Sequence, residues 1–130
     1  HRRAQAQEPI MARILTVDDS PVMRQMVKAT LAEAGHVVTQ AANGEEALRI
    51  AATQVFDMVI TDVNMPVMDG LTLTRNLRQL PAYKTIPMIA LTTESTADVK
   101  RTGREAGATA WVVKPFNPQR LIEAVAQLLT

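Results

Sequence analysis

The sequence predicts an α/β fold: one five-stranded parallel sheet, doubly wound, with five helices covering its two faces. Three observations predict it. Short apolar runs alternate along the chain with stretches whose apolar residues recur at helical spacing. Gly, Pro, Asn and Asp mark most of the junctions. Strand–helix–strand connections of this length suit right-handed crossovers, which make the strands parallel and put helices on both faces.

Arg13 to Val17 is a strand by composition. Ser20 before Pro21 reads as an N-cap with proline at the first helical position. That helix runs to about Ala34, with Met23, Val27, Thr30, Leu31 and Ala34 on one face, and Gly35 stops it. His36 to Ala41 is the second strand. Asn43-Gly44 is a turn or cap before a helix from Glu45 to about Ala52, with Ala47, Leu48 and Ala51 inward.

The apolar run Val55 to Ile60, interrupted by Asp57, reads as a strand buried on both faces and ends in Thr61-Asp62. Asn64, Pro66, Asp69 and Gly70 form a loop, and Asp69-Gly70 signals a turn into the third helix, whose inner face is Leu73, Leu77 and Leu80. Ile86 to Leu91 is the fourth strand and leads into Thr92, Thr93 and Glu94. Ser95 to Ala106 reads as a weak helix with few apolar positions (Ala97, Val99, Ala106), and Thr96, Thr102 and Gly103 lower its propensity. Thr109 to Val113 is the fifth strand, followed by Lys114-Pro115-Phe116. Asn117 or Pro118 starts the last helix, with Leu121, Ile122, Val125, Leu128 and Leu129 inward.

The 130 residues are one domain's worth, without repeats, linkers or a second domain. Residues 1–10 are expected to be a disordered extension or a remnant of cloning, with the domain occupying 11–130. The composition is 47% apolar, enough for a core and too much for disorder. A net charge of +1 gives no reason to expect nucleic acid or a membrane surface as a partner. No apolar run approaches a membrane span. The absence of cysteine excludes disulfides and thiol catalysis and fits a reducing, cytoplasmic setting.

In a parallel sheet all strand C-termini share one rim, which is where open α/β folds bind ligands. Asp18-Asp19, Asp62, Thr92 and Lys114 each fall at that end of a strand. Alone, each has a plainer role: helix-start acid, loop cap, turn residue, solvated lysine. Together they form a set. Three carboxylates cannot crowd together at neutral pH without compensation. Magnesium supplies it through oxygen ligands, taking one or two carboxylates plus phosphate oxygens. A lysine adds a mobile positive charge and a threonine a hydroxyl donor. The set suits attack of the Asp62 carboxylate on phosphorus.

With these residues in place, the chain resembles the receiver domains of two-component response regulators, and among them the stand-alone, CheY-like chemotaxis regulators. The matching motifs are VDDSPVMR (Val17 to Arg24), TDVNMPVMDG (Thr61 to Gly70), ALTTE (Ala90 to Glu94) and WVVKPF (Trp111 to Phe116), and the likeness covers residues 11–130. The resemblance implies a flavodoxin-like sheet in the order 2-1-3-4-5, the order known for that family. It implies that Asp62 accepts a phosphoryl group from a phosphohistidine on a sensor kinase. Asp19, Asp62 and the backbone carbonyl of Asn64 would bind Mg2+ (Mn2+ as a substitute), with Asp18 acting through a metal-bound water. Lys114 would pair with the phosphoryl oxygens, Thr92 would turn to hydrogen-bond one of them, and the Lys114–Pro115 peptide would be cis.

The same resemblance implies a switch. Thr92 moves toward the phosphoryl group, Trp111 fills the space, and the face of the fourth helix, fifth strand and fifth helix changes for a partner. Asn64, Thr93 and Glu94 would set the phosphoryl lifetime. Two positions depart from the usual pattern. Chemotaxis receivers usually carry tyrosine where Trp111 stands, so its rotation is expected to be partial or differently packed. Thr93 replaces a usual alanine or glycine and is expected to slow dephosphorylation. Nothing in the sequence resembles a DNA-binding or enzymatic output domain, so output through protein binding is expected. The implied partners are a chemotaxis-type kinase, the flagellar motor switch and a phosphatase, acting on a monomer. The chain is read as a phosphoacceptor rather than an enzyme. A phosphate sink or relay shuttle would use the same site. A haloacid-dehalogenase-type phosphatase is disfavoured, because its nucleophile ends the first strand and is followed two residues later by a second Asp.

Overall fold

The computed structural model describes residues 11–130; the expectation for residues 1–10 lies outside them. Five strands form one parallel sheet in the order β2-β1-β3-β4-β5: β1 Arg13–Val17, β2 Val37–Ala41, β3 Met58–Asp62, β4 Met88–Thr92 and β5 Ala110–Val113. Five helices connect and flank them: α1 Pro21–Glu33, α2 Gly44–Thr53, α3 Gly70–Arg78, α4 Ala97–Ala106 and α5 Pro118–Leu129.

The side-chain alternation of β1 explains the two-sided core. Leu15 and Val17 face one layer with Ala47 and Ala51 of α2 and Leu73 and Leu77 of α3. Ile14 faces the other with Val27 and Leu31 of α1 and Leu121 and Val125 of α5. The central strands β3 and β4 are buried along their whole length, as expected of strands covered on both faces. Each of the five described α-helices is capped from the sequence: Ser20, Asn43, Asp69, Thr96 and Asn117 each accept a backbone N–H of the first turn.

Several boundaries differ from the sequence reading, each for a physical reason. β3 starts at Met58, not Val55. Val55 is 60% exposed, and the Asp57 carboxylate that interrupts the run accepts the backbone N–H of Arg13 at 2.8 Å. β4 begins after Ile86 and Pro87, because proline has no N–H for the ladder. Thr109 precedes β5, and its hydroxyl accepts the N–H of Met88 at 3.0 Å. A 3-10 turn at Pro81–Tyr83, which periodicity does not reveal, buries Tyr83. Its hydroxyl donates to the backbone carbonyl of Ala51 at 3.1 Å.

His36 lies just before β2 rather than within it. It is 8% exposed, and its Nδ1 accepts the N–H of Ala12 at 3.1 Å. Burial holds its pKa below the usual imidazole value. The unfolded chain therefore takes up this proton before the folded one does. Stability from this group is intact above about pH 6.5 and falls as pH drops through that value toward the folded pKa. Urea midpoints at pH 7.5 and 5.5 should show this loss in the wild type and a smaller one in His36→Asn, whose amide oxygen can still accept from Ala12. Equal losses in the two proteins would remove His36 from the acid response.

Candidate functional site

The register sets the height of each strand end. Val17 pairs with Thr61, Asp62 with Leu91, and Thr92 with Val113. Asp18, Asp62, Thr92 and Lys114 therefore meet along one rim, although they are up to 96 residues apart in sequence. Asp62 is the last residue of β3 and is 5% exposed; Asp18 follows β1 and is 3% exposed. Asp19 beside it is open to solvent. One carboxylate oxygen from each of the three lies within 4.8 Å of the others.

Lys114 holds this acidic cluster from the β5 side. Its Nζ is 2.7 Å from Asp62 Oδ1 and 3.6 Å from Asp18 Oδ2. Burial alone would push the ammonium pKa down. The bond to Asp62 and the charges of Asp18 and Asp62 outweigh it, and the pKa stands above the ordinary lysine value. Burial pushes the Asp18 carboxyl up, and the charges of Asp62 and Asp19 add to that; the Ser20 N–H and Lys114 act against it.

Asp18 is fixed by its surroundings. Its Oδ1 accepts the Ser20 N–H at 2.9 Å, and its carbonyl accepts the Arg24 guanidinium at 2.7 Å. Its Oδ2 is buried with no hydrogen-bond partner among the described residues. A buried carboxylate oxygen that accepts no hydrogen bond, with the Lys114 ammonium 3.6 Å away and two other carboxylates beside it, fits a hard divalent cation and its water ligands. Arg24 lies inside the first motif, yet sequence reasoning assigns it no role. Its only signal is its position one helical turn after the cap Ser20.

The loop after Asp62 is tightly built. Gly70 donates its N–H to the Val63 carbonyl at 2.8 Å, and a Cβ on Gly70 would lie 2.0 Å from the Asp62 carbonyl oxygen. Only glycine lets α3 start this close to β3. Asn64 is exposed on this loop. Val67 follows at φ 70°, with the Met68 N–H bonded to the Pro66 carbonyl at 2.8 Å. That is a strained γ-turn, which a β-branched residue gives no reason to expect.

Thr92 is fully buried, and its Oγ1 accepts the Glu94 N–H at 3.2 Å. Trp111 is half-buried, and its Nε1 donates to the Glu94 carbonyl at 2.8 Å. The two residues that the resemblance marks as a switch are thus joined through one backbone unit. The residues Thr93 and Glu94 are exposed. The Lys114–Pro115 peptide is cis.

The response regulator receiver domain profile matches residues 14–126. The chain belongs to the response regulator receiver family. As a receiver it is 40% identical over 119 residues to the chemotaxis protein CheY1 of Helicobacter pylori, covering 90% of this chain and 96% of that protein. It is 42% identical over 102 residues to a gliding motility regulatory protein of Myxococcus xanthus, of which it spans only 13%. Among solved structures, Vibrio cholerae chemotaxis protein CheY4 superposes with a TM-score of 0.88 at 46% identity, covering 92% of this chain and 99% of that one. The receiver domain of a Pseudomonas aeruginosa sensor histidine kinase superposes with a TM-score of 0.84 at 31% identity, covering 92% and 98%. That structure holds a magnesium ion coordinated in its active-site cleft. Receivers are phosphoacceptor signalling domains that bind Mg2+ at acidic residues, and this one carries such a cluster. Among the described residues no helix is long and apolar enough to cross a membrane.

Proposed function

We propose that this receiver takes a phosphoryl group from a phosphohistidine of a sensor kinase onto Asp62 and uses it to control a protein partner, in chemotaxis or flagellar motor control. The observation that carries the reading is the Lys114 ammonium 2.7 Å from Asp62, inside a cluster of three carboxylates.

In the transfer, an Asp62 carboxylate oxygen attacks phosphorus, the P–N bond breaks, and the imidazole nitrogen leaves with the electron pair. The residues Asp19, Asp62 and the Asn64 carbonyl would hold Mg2+, with Asp18 reached through water, and the metal supplies positive charge to the phosphoryl oxygens. Lys114 already contacts the attacking carboxylate. It needs only to follow the charge from Asp62 Oδ1 to a phosphoryl oxygen. The hydroxyl of Thr92 accepts from Glu94, which leaves its own hydrogen free to donate to another phosphoryl oxygen. The Ser20 N–H on its carboxylate and the Arg24 guanidinium on its carbonyl keep Asp18 in place meanwhile.

Support for a motor or chemotaxis output comes from the likeness to chemotaxis proteins along nearly their full length. A cytoplasmic, monomeric protein with a chemotaxis-type kinase, a motor-switch partner and a phosphatase belongs to the same reading. Residues 11–130 would form the receiver, and Thr93 would lengthen the phosphoryl lifetime by crowding the approach of water.

Intact mass after incubation with acetyl phosphate and Mg2+ tests the chemistry. The wild type is expected to gain one phosphoryl group and Asp62→Asn none. Equal labelling of the two proteins would move the acceptor elsewhere. Binding of a motor-switch peptide with and without a phosphoryl analogue tests the output; equal affinity in both states would rule out this partner.

A further inference from the structure

On α4 the sequence reading counts Gly103 as a defect. The structure gives it a purpose. A Cβ built on Gly103 would lie 2.2 Å from Cζ3, 2.8 Å from Cε3 and 3.2 Å from Cη2 of Trp111. The six-membered ring of the indole therefore occupies the space that any other residue would take. At its other edge the same indole donates Nε1–H to the Glu94 carbonyl at 2.8 Å. The N–H of Glu94 in turn is held by the buried Thr92 hydroxyl at 3.2 Å.

Neither neighbour can yield easily. The C-terminal end of α4 is clamped: Arg78 donates to the Gly107 carbonyl through Nε at 3.1 Å and Nη2 at 2.7 Å. Its Nη1 also bonds the Tyr83 and Ile86 carbonyls. The strand β5 is pinned at both ends, where Thr109 N–H meets the Met88 carbonyl and Lys114 N–H meets the Thr92 carbonyl, each at 2.7 Å. With the C-terminal end of α4 and both ends of β5 held, the Trp111 side chain is the softest of the three.

We propose that Gly103 is the socket for Trp111: it positions the indole against α4, and only with the socket open can a displacement of Thr92 reach α4 through the Glu94 peptide and the indole N–H. The ring and the glycine are a matched pair, and residue 103 decides whether the switch aromatic can sit inward at all. The coupling half of this inference rests on the phosphoacceptor reading; the socket half does not.

A double-mutant cycle on the full chain separates the two. Gly→Ala inside a helix ordinarily stabilises it, because glycine has the greater conformational freedom to lose. In a Trp111→Ala background, Gly103→Ala is expected to raise the urea midpoint. With Trp111 present, the same change is expected to lower it and to red-shift the emission of this single tryptophan. A rise of equal size in both backgrounds would overturn the socket. The second arm uses acetyl phosphate, Mg2+ and the indole N–H resonance. Wild type and Gly103→Ala are expected to take up equal phosphoryl by mass, with the resonance moving only in the wild type. An equal movement in both would overturn the coupling. Absence of labelling in the wild type would count against the phosphoacceptor reading alone, and the midpoint cycle would still decide the socket.

Discussion

Replacing Lys114 by methionine is expected to slow phosphoryl uptake from acetyl phosphate by about 10²–10³-fold, the usual cost of removing one fixed charge donor from a transition state. Methionine keeps most of the length of the side chain and removes its charge. The ammonium it removes is the one cation ion-paired with Asp62 and Asp18 among the described residues. Without it, negative charge building on the phosphoryl oxygens meets three carboxylates with less to offset them. Affinity for Mg2+ should hold or rise, because the ammonium no longer competes for Asp62 Oδ1. Initial labelling rates by mass at saturating Mg2+, with metal affinity from calorimetry, separate the two effects. A labelling rate within about twofold of wild type, well short of the effect expected for a transition-state donor, would deny Lys114 its role. The pKa of Lys114 lies above the ordinary value, so the ammonium stays charged throughout the neutral range, and its own titration should not shape the rate profile there.

Gly70→Ala is expected to destabilise the fold by about 3 kcal/mol or more, the range of severe overpacking, and to lower the melting temperature by about 10 °C. The new Cβ would stand 2.0 Å from the Asp62 carbonyl oxygen and 3.0 Å from Val63 Cα. Both are backbone atoms of the β3 end, so no side chain can rotate away. Relief requires moving α3 off the sheet, which breaks the 2.8 Å bond from Gly70 N–H to the Val63 carbonyl and shifts Asp62 itself. Gly35→Ala is the control. Gly35 has φ 96° with nothing near its Cβ position, so only backbone strain opposes the change, about 1 kcal/mol. Thermal melts of the two variants side by side test the difference. Equal losses would mean that conformational freedom, not close approach, sets the cost at Gly70.

The local grammar of this chain is legible in its residues alone. Ser20-Pro21 starts a helix where expected, and Gly35 and Gly107 end theirs in the left-handed conformation. The apolar runs become strands because their length, composition and bounding turns leave little other choice. Right-handed crossovers make the sheet parallel, and a parallel sheet brings its strand C-termini to one rim. For that reason sequence position is enough to group Asp18, Asp62, Thr92 and Lys114.

Tertiary structure decided what pattern cannot encode. In sequence a glycine is a missing side chain, and only the packed neighbour shows what fills the space: a backbone carbonyl at Gly70, an indole at Gly103. The interruption at Asp57 becomes intelligible once its carboxylate meets the Arg13 N–H across the sheet. Arg24 and Arg78 gain roles because backbone carbonyls, which carry no sequence identity, lie within reach of their guanidinium groups. Residue types and their periodicity determined which groups stand at the rim. Through-space contacts of backbone atoms determined how firmly they are held, because nearly every residue carries the same carbonyl and N–H and only the fold says which ones meet.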